Sequence, residues 1–135
     1  MIEWSMDGLR FIERTKDDQI STDFITSNYE PGQYPCTRYK LAERFLATSA
    51  DRDSVNVVRS ILSATHMEFQ TPTVYSNVCD LDSGDIFIHD VHNYEEVLKL
   101  NFFEELKKGE ARYVVETLFK VKPYVADVYK TPMKK

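Results

Sequence analysis

The sequence is poor in glycine and lacks the motifs of several large enzyme classes. Only four glycines occur among 135 residues. The chain has no phosphate-binding glycine loop, no dinucleotide fingerprint, no Gly-x-Ser-x-Gly elbow and no His-Glu-x-x-His zinc motif. No motif therefore indicates a nucleotide-dependent enzyme, an α/β-hydrolase or a zinc protease.

The sequence also lacks a basic surplus and a long apolar run. It holds 17 Lys and Arg against 22 Asp and Glu, a formal net charge of -5. Nucleic-acid binders normally carry a basic patch, so this class is not expected. No apolar run approaches the roughly 20 residues of a membrane-spanning helix. Met1 to Gly8 include two acids and a tryptophan and do not resemble a signal peptide.

Cysteine is scarce, with only Cys36 and Cys79. They form no Cys-x-x-Cys pair, so they do not indicate a cysteine-ligated zinc site. One disulfide and two free thiols are both consistent with this pattern. A cytoplasmic location is favoured.

The composition that remains is that of a folded domain. Hydrophobic residues make up 42% and charged residues 29%, and there are eight Tyr and eight Phe. The length predicts a single domain over residues 1–135. Its tail, residues 120–135, contains two prolines and basic residues and is predicted to be irregular.

The first half of the chain changes from strand-like to helical patterns. Leu9–Glu13 and Ser21–Thr26 are predicted to be two strands of a hairpin. Helical spacing of apolar residues begins at Thr37, and a second helix follows with Asp51 or Asp53 as its N-cap. The two helices are expected to form a helical hairpin on one face of a sheet.

The second half returns to strands. Val74–Leu81 and Ile86–Val91 are predicted to pair across the turn Asp82-Ser83-Gly84-Asp85. A short strand, Val97–Leu100, and a helix over Phe102–Lys108 follow. Tyr113–Phe119 is predicted to be a further helix, with a strand as the alternative. This order predicts an α+β fold with a largely antiparallel sheet.

The histidines and Cys36 do not form a convincing site in the sequence. His66 closes the second predicted helix, where histidines often contact terminal carbonyls. His89 and His92 flank Asp90, but His89 and Asp90 should point to opposite faces of the sheet. We therefore assign no metal site and no cofactor. Cys36 is read as an ordinary loop thiol, with a reactive thiol as the alternative.

Asn28 and Arg38 are the candidate site residues. Asn28 lies where a predicted strand ends, and its amide can donate the hydrogen bonds of an oxyanion hole. Arg38 lies at the start of a helix, which is the unfavourable end for a cation, so an anionic partner is expected. A loop-capping Asn and a surface Arg are the simpler alternative.

Four segments resemble one enzyme family. Ile25–Pro31 is similar to the strand end that carries an active-site Asn in choloylglycine hydrolases and in acid-ceramidase-like and penicillin-acyltransferase-like amidases. Cys36–Tyr39 resembles their Ser-x-Arg-Phe/Tyr helix start. Thr71–Leu81 resembles their Thr-x-Tyr-Ser/Thr-x-Val-x-Asp strand, and Asp85–Ile88 resembles the strand that returns from it. The resemblance runs from about Leu9 to about Leu100.

The resemblance implies hydrolysis of linear amide C–N bonds in an N-terminal-nucleophile fold, an αββα sandwich. In this family an N-terminal Cys attacks the amide carbonyl and its own α-amine acts as the base. By match, Asn28 would stabilise the oxyanion and Arg38 would orient the nucleophile. No cofactor is implied.

The resemblance places the family's nucleophile in an N-terminal half that this sequence does not include. Met1-Ile2 cannot supply a Cys by removal of Met, and Cys36 occupies the family's Ser position and is not expected to be the nucleophile. The chain is therefore expected to be the C-terminal segment of such a hydrolase, inactive alone, and its enzyme status is open. Its expected partners are the N-terminal half of the fold, or a second copy through an exposed sheet face, and a small-molecule amide. A noncatalytic dimerising or ligand-binding remnant is the alternative, and an independent enzyme using Cys36 or the His89/His92 pair is a third.

Overall fold

The computed structural model describes residues 1–14, 17–50, 54–68 and 72–120. The chain divides into two compact units, Met1–Val57 and Val58–Lys135. Within the described residues the fold is α+β, with three α-helices and two separate antiparallel sheets. The predicted fold class is confirmed at this level.

The first unit begins with a two-stranded hairpin, β1 (Ile2–Ser5) and β2 (Gly8–Phe11). Ile2 pairs with Phe11 and Trp4 pairs with Leu9. Because directly opposed residues share a face of the sheet, all four apolar side chains lie on one face. They are 51% to 76% exposed. We call this surface the β1–β2 apolar face.

The predicted pairing of Leu9–Glu13 with Ser21–Thr26 is wrong. β2 covers the start of the first predicted strand, but its partner is β1. Within Ser21–Thr26 the structure has no strand. The backbone N–H groups of Thr26 and Ser27 donate to the Glu3 carboxylate, at 2.6 and 3.0 Å. These bonds turn the chain into a short 3-10 helix, Thr26–Asn28, because they take donors that a strand would need.

The two predicted helices are present as α1 (Thr37–Thr48) and α2 (Val55–Thr65). In α1, Tyr39 and Ala42 are buried. The proposed N-caps of α2, Asp51 and Asp53, lie outside the described residues. The packing of the two helices as a hairpin on a sheet stays a prediction.

The second unit contains a three-stranded meander. Its strands are β3 (Tyr75–Cys79), β4 (Asp85–Asp90) and β5 (Asn93–Asn101), in that order across the sheet. The predicted strands are confirmed, although β5 is longer than Val97–Leu100. Gly84 in the β3–β4 turn has φ +74°, a left-handed conformation that glycine adopts without strain.

A short helix, α3 (Phe102–Lys107), follows β5 directly. The Asn101 side chain caps it by accepting the N–H groups of Phe103 and Glu104. The chain leaves the helix at Gly109, as predicted, with φ +76°.

The predicted helix Tyr113–Phe119 is wrong, since only the 3-10 helix Val115–Thr117 forms there. The Thr117 hydroxyl donates to the Val114 carbonyl at 2.7 Å. Such local side-chain bonds and β-branched residues weaken helices. Most of the predicted irregular tail, residues 121–135, lies outside the described residues. In the part that is described, no helix has the length and apolar character to cross a membrane.

Candidate functional site

Arg38 in the first turn of α1 has an anionic partner, as the sequence predicted. Its guanidinium lies 2.7 Å from Oδ2 of Asp23. The Arg38 side chain is one-third exposed. The pKa of Asp23 is held below its ordinary value, first by its own backbone N–H and then by the charge of Arg38. The pair fixes a cation at the beginning of a helix.

The Cys36 thiol shares this aspartate. Its Sγ lies 3.5 Å from Oδ1 of Asp23, and the residue is the N-cap of α1. Burial raises the pKa of the thiol, and so does its hydrogen bond to Asp23, but the Thr22 hydroxyl and the backbone N–H groups of Tyr39 and Arg38 outweigh both, so the net pKa is lowered. Thiolates are stabilised in this way at helix N-termini. The alternative of a reactive Cys36 therefore gains support.

Asn28 lies at the end of the 3-10 helix that Glu3 holds in place, and the residue is exposed. A second hydrogen bond stabilises this turn, since the Arg10 guanidinium donates to the Ser27 hydroxyl at 3.3 Å. Burial alone would raise the pKa of Glu3, but the hydrogen bonds from Ser27 and Thr26 lower it below its ordinary value. The charged form of Glu3 thus anchors the turn that presents Asn28.

Four aromatic side chains of the first unit, Phe24, Tyr29, Tyr34 and Tyr39, pack against one another. The Phe24 ring lies 5.5 to 5.6 Å from the rings of Tyr29, Tyr34 and Tyr39. Burial is the main cause that raises the pKa of Tyr39 to about 12. Tyr34 and Tyr39 also line a cavity of about 180 Å³. Neither Asn28 nor Arg38 lines this cavity.

All three histidines of the chain lie in the second unit, around one tyrosine. The Tyr94 ring centroid is 5.8 Å from that of His66 and 5.4 Å from that of His89. The His66 ring in turn packs against the His92 ring, with the two centroids 4.5 Å apart and the ring planes tilted by 36°. The sequence patterns did not predict that His66 lies beside His92.

His89 is the most deeply buried of the three, at 1% exposure. Its Nδ1 lies 3.1 Å from the Glu96 carbonyl oxygen, so Nδ1 carries the proton and donates it. Its Nε2 is buried without a hydrogen-bond partner within the described residues. Burial lowers the pKa of His89. The contact with Glu96 forms where the β4–β5 register shifts between Ile88 and Asp90.

The turn between β4 and β5 contains a strained residue. Val91 has φ +48°, an uncommon conformation for a β-branched side chain. Val91 is 2% exposed, and its N–H donates to the Val74 carbonyl at 2.9 Å. This packing holds His92, the next residue of the two-residue turn, in a defined place.

His66, Glu68 and His92 form what we call the His66 cluster. One potential metal-ligating atom from each residue lies within 4.8 Å of those from the other two. The His66 Nε2 is 3.1 Å from Oε1 of Glu68, and the His92 Nε2 is 3.1 Å from the Met67 carbonyl oxygen. His66 Nδ1 contacts the Ser63 carbonyl, so the predicted role of His66 at the helix end is confirmed.

The His66 cluster could not be predicted from the sequence, because His92 lies far from His66 and Glu68 along the chain. His92 follows β4, whereas His66 and Glu68 follow α2. The only local signal was the alternation His66-x-Glu68, which is too short to indicate a site. The sequence did not favour a metal site formed by His89, Asp90 and His92, and in the structure His89 instead points into the core and bonds the Glu96 carbonyl.

No protein-family model, no curated protein and no solved structure matches the chain. The resemblance to amide hydrolases therefore rests on the residues of the sequence alone.

Proposed function

We propose that the chain is the C-terminal segment of a linear amide C–N hydrolase. An N-terminal Cys carried by another stretch of polypeptide would attack the amide carbonyl, and this chain would be inactive alone. The observation that carries the proposal is the Arg38–Asp23 pair at the first turn of α1. Asp23 holds the Arg38 guanidinium in place, and the Arg38 side chain is still one-third exposed. Arg38 is the position to which the resemblance assigns an active-site Arg.

The chemistry of the two candidate residues suits acyl transfer. An exposed Asn28 amide can donate hydrogen bonds to a developing oxyanion. Arg38, fixed by Asp23, can stabilise the thiolate form of an incoming Cys. In this proposal Cys36 is a neighbour of the site and does not act as the nucleophile.

One feature supports the idea that the fold is incomplete without a partner. The β1–β2 apolar face exposes four large side chains. In an αββα sandwich such a face would be covered by the N-terminal half of the fold.

The proposal is tested on the protein isolated from its native source. Its intact mass shows whether this sequence continues into a longer chain or copurifies with a chain that begins with Cys. Amine release from N-acyl amines, conjugated bile salts and penicillins then measures amide hydrolysis. Asn28→Ala is expected to lower kcat by about 10²- to 10³-fold, the usual loss of one oxyanion donor.

Two arginine variants distinguish an active-site role of Arg38 from a general effect of removing a surface charge. Arg38→Ala is expected to lower activity strongly, whereas Arg112→Ala, whose side chain is 90% exposed, should leave it unchanged. A lone chain of 15.8 kDa, or its homodimer, without amide hydrolysis would overturn the proposal. The β1–β2 apolar face would then favour the second candidate function, a noncatalytic domain that dimerises or binds a ligand.

A further inference from the structure

The His66 cluster plays no part in amide hydrolysis by an N-terminal Cys. We propose that it binds a divalent transition-metal ion of the zinc class, with His66, Glu68 and His92 as ligands. The inference does not depend on the proposed function, because all its residues belong to the second unit and none is assigned to acyl transfer.

The hydrogen bonds leave the right ring nitrogens free to bind a metal. Backbone carbonyls only accept hydrogen bonds. The Ser63 carbonyl therefore takes the Nδ1 proton of His66, and the Met67 carbonyl takes the Nε2 proton of His92. In the neutral rings the lone pairs then lie on Nε2 of His66 and Nδ1 of His92.

These carbonyls are also the usual supports of metal-binding histidines. A ligating histidine almost always donates its other N–H to a carbonyl, carboxylate or water, which fixes its tautomer and its orientation. Both histidines of the cluster have this support before any metal is bound. The Met67 carbonyl is itself held, since it also accepts the Thr73 N–H at 2.8 Å.

The ligand atoms must move closer together to bind a tetrahedral ion. Tetrahedral bonds of about 2.0–2.2 Å to zinc place neighbouring ligand atoms roughly 3.3–3.6 Å apart. The distance of 3.1 Å between His66 Nε2 and Glu68 Oε1 is already close to this value. One potential ligand atom from each of the three residues lies within 4.8 Å of the other two. The Glu68 side chain is 56% exposed, so it can adjust when an ion draws the ligands together.

The ligand types select the metal class. Two imidazoles and one carboxylate suit zinc and its transition-metal neighbours, whereas magnesium and calcium prefer oxygen ligands alone. Three protein ligands leave a fourth position of a tetrahedral ion for water. The exposure of Glu68 keeps the cluster accessible from solvent.

The alternative is a simple ion pair, in which a protonated His66 donates to the Glu68 carboxylate. The ion pair and the metal site differ in whether the chelator-treated chain binds added metal. An ion pair takes up no metal. A metal site binds one zinc ion per chain and binds cobalt with the intense visible absorption of a four-coordinate ion.

The test titrates the chelator-treated chain with zinc and, separately, with cobalt and magnesium, by calorimetry and visible absorption. The expected result is one site for zinc and for cobalt, and none for magnesium at the same concentration. Glu68→Gln, His66→Gln and His92→Gln should each weaken zinc binding by more than about tenfold. Glu68→Gln is the safest variant for folding, because its side chain is the most exposed of the three.

Matched controls exclude other ligands. The free thiols Cys36 and Cys79 are replaced together by Ser, and this background should retain the site. His89→Asn alters a histidine outside the cluster and should bind zinc as the parent does. Far-UV circular dichroism confirms that each variant is folded. Absence of zinc binding, or binding that the three cluster variants leave unchanged, overturns the proposal.

Discussion

The hydroxyl groups of Tyr94 and Ser76 lie 2.8 Å apart in the interior of the second unit. Tyr94 is 6% exposed and Ser76 is 8% exposed. Ser76 lies on β3, directly opposite His89 on β4. The Tyr94 ring contacts the rings of His66 and His89, so the Tyr94–Ser76 hydrogen bond connects these rings to β3.

Removing one partner of this bond should be costly. Tyr94→Phe leaves the buried Ser76 hydroxyl without its partner, and we expect a loss of about 1–3 kcal/mol in the free energy of unfolding. Adding Ser76→Ala removes the orphaned hydroxyl, so the double variant should be more stable than this single variant. Urea unfolding followed by far-UV circular dichroism measures both. Equal stabilities of the single and double variants would show that the two hydroxyls are not coupled.

The stability of the chain should decrease at mildly acidic pH because of His89. Burial is the main cause of its lowered pKa, and the charge of Arg59 contributes, while the hydrogen bond to Glu96 opposes it. The unfolded chain binds this proton near pH 6.5 and the folded chain only at lower pH. The stabilisation that the neutral His89 gives to the folded chain is therefore fully present above about pH 6.5, and it is lost as the pH falls below this value.

His89→Asn isolates this effect. The Asn amide retains an N–H for the Glu96 carbonyl but does not titrate. The free energy of unfolding of the variant should fall less steeply than that of the parent between about pH 7 and pH 5. Parallel pH profiles would contradict the prediction.

Cys36 should be alkylated at lower pH than an ordinary thiol. Burial and the hydrogen bond to Asp23 raise its pKa, but the Thr22 hydroxyl and the backbone N–H groups at the start of α1 outweigh them, so the net pKa is lowered. The rate of alkylation by iodoacetamide, followed by mass spectrometry of the Cys36 peptide, should inflect below the ordinary thiol value of about 8.5. Thr22→Val removes one stabilising hydroxyl and should move the inflection to higher pH. An unchanged inflection would exclude this cause.

The β1–β2 apolar face should cause self-association when no other partner covers it. Trp4 is 76% exposed on this face, and burial of an aromatic side chain contributes about 1.5–3 kcal/mol. Trp4→Glu should therefore weaken association by more than about tenfold, as measured by sedimentation velocity over a concentration series. Met6→Glu, at a fully exposed turn position, is the matched control. A parent chain that remains monomeric at all concentrations would contradict the prediction.

Local sequence patterns predicted the β3–β4–β5 meander and α1 well. The turn Asp82-Ser83-Gly84-Asp85 places Gly84 where a positive φ is needed, and the flanking residues alternate as strands do. The spacing of apolar residues from Thr37 similarly predicted α1. In these segments the local preference and the final packing agree.

Contacts between distant residues account for what the sequence did not predict. Glu3 takes the N–H groups of Thr26 and Ser27, more than twenty residues away, and this prevents the predicted strand. The His66 cluster needs the β4–β5 turn to reach the end of α2. A pattern in a short stretch of sequence cannot show either of these contacts, because each joins residues that are more than twenty positions apart. Asn28 and Arg38 were chosen from local features, and of these only the anionic partner of Arg38 has been confirmed, as Asp23.

The exposure of Trp4 has an optical consequence. It is the only tryptophan of the chain, and its indole already lies largely in water when the chain is folded. Its fluorescence should therefore change little when the chain unfolds, so emission is a poor gauge of folding. The same indole would be shielded by any surface that covers the β1–β2 apolar face, and its emission would then shift to shorter wavelength. The chain thus carries a built-in reporter of association.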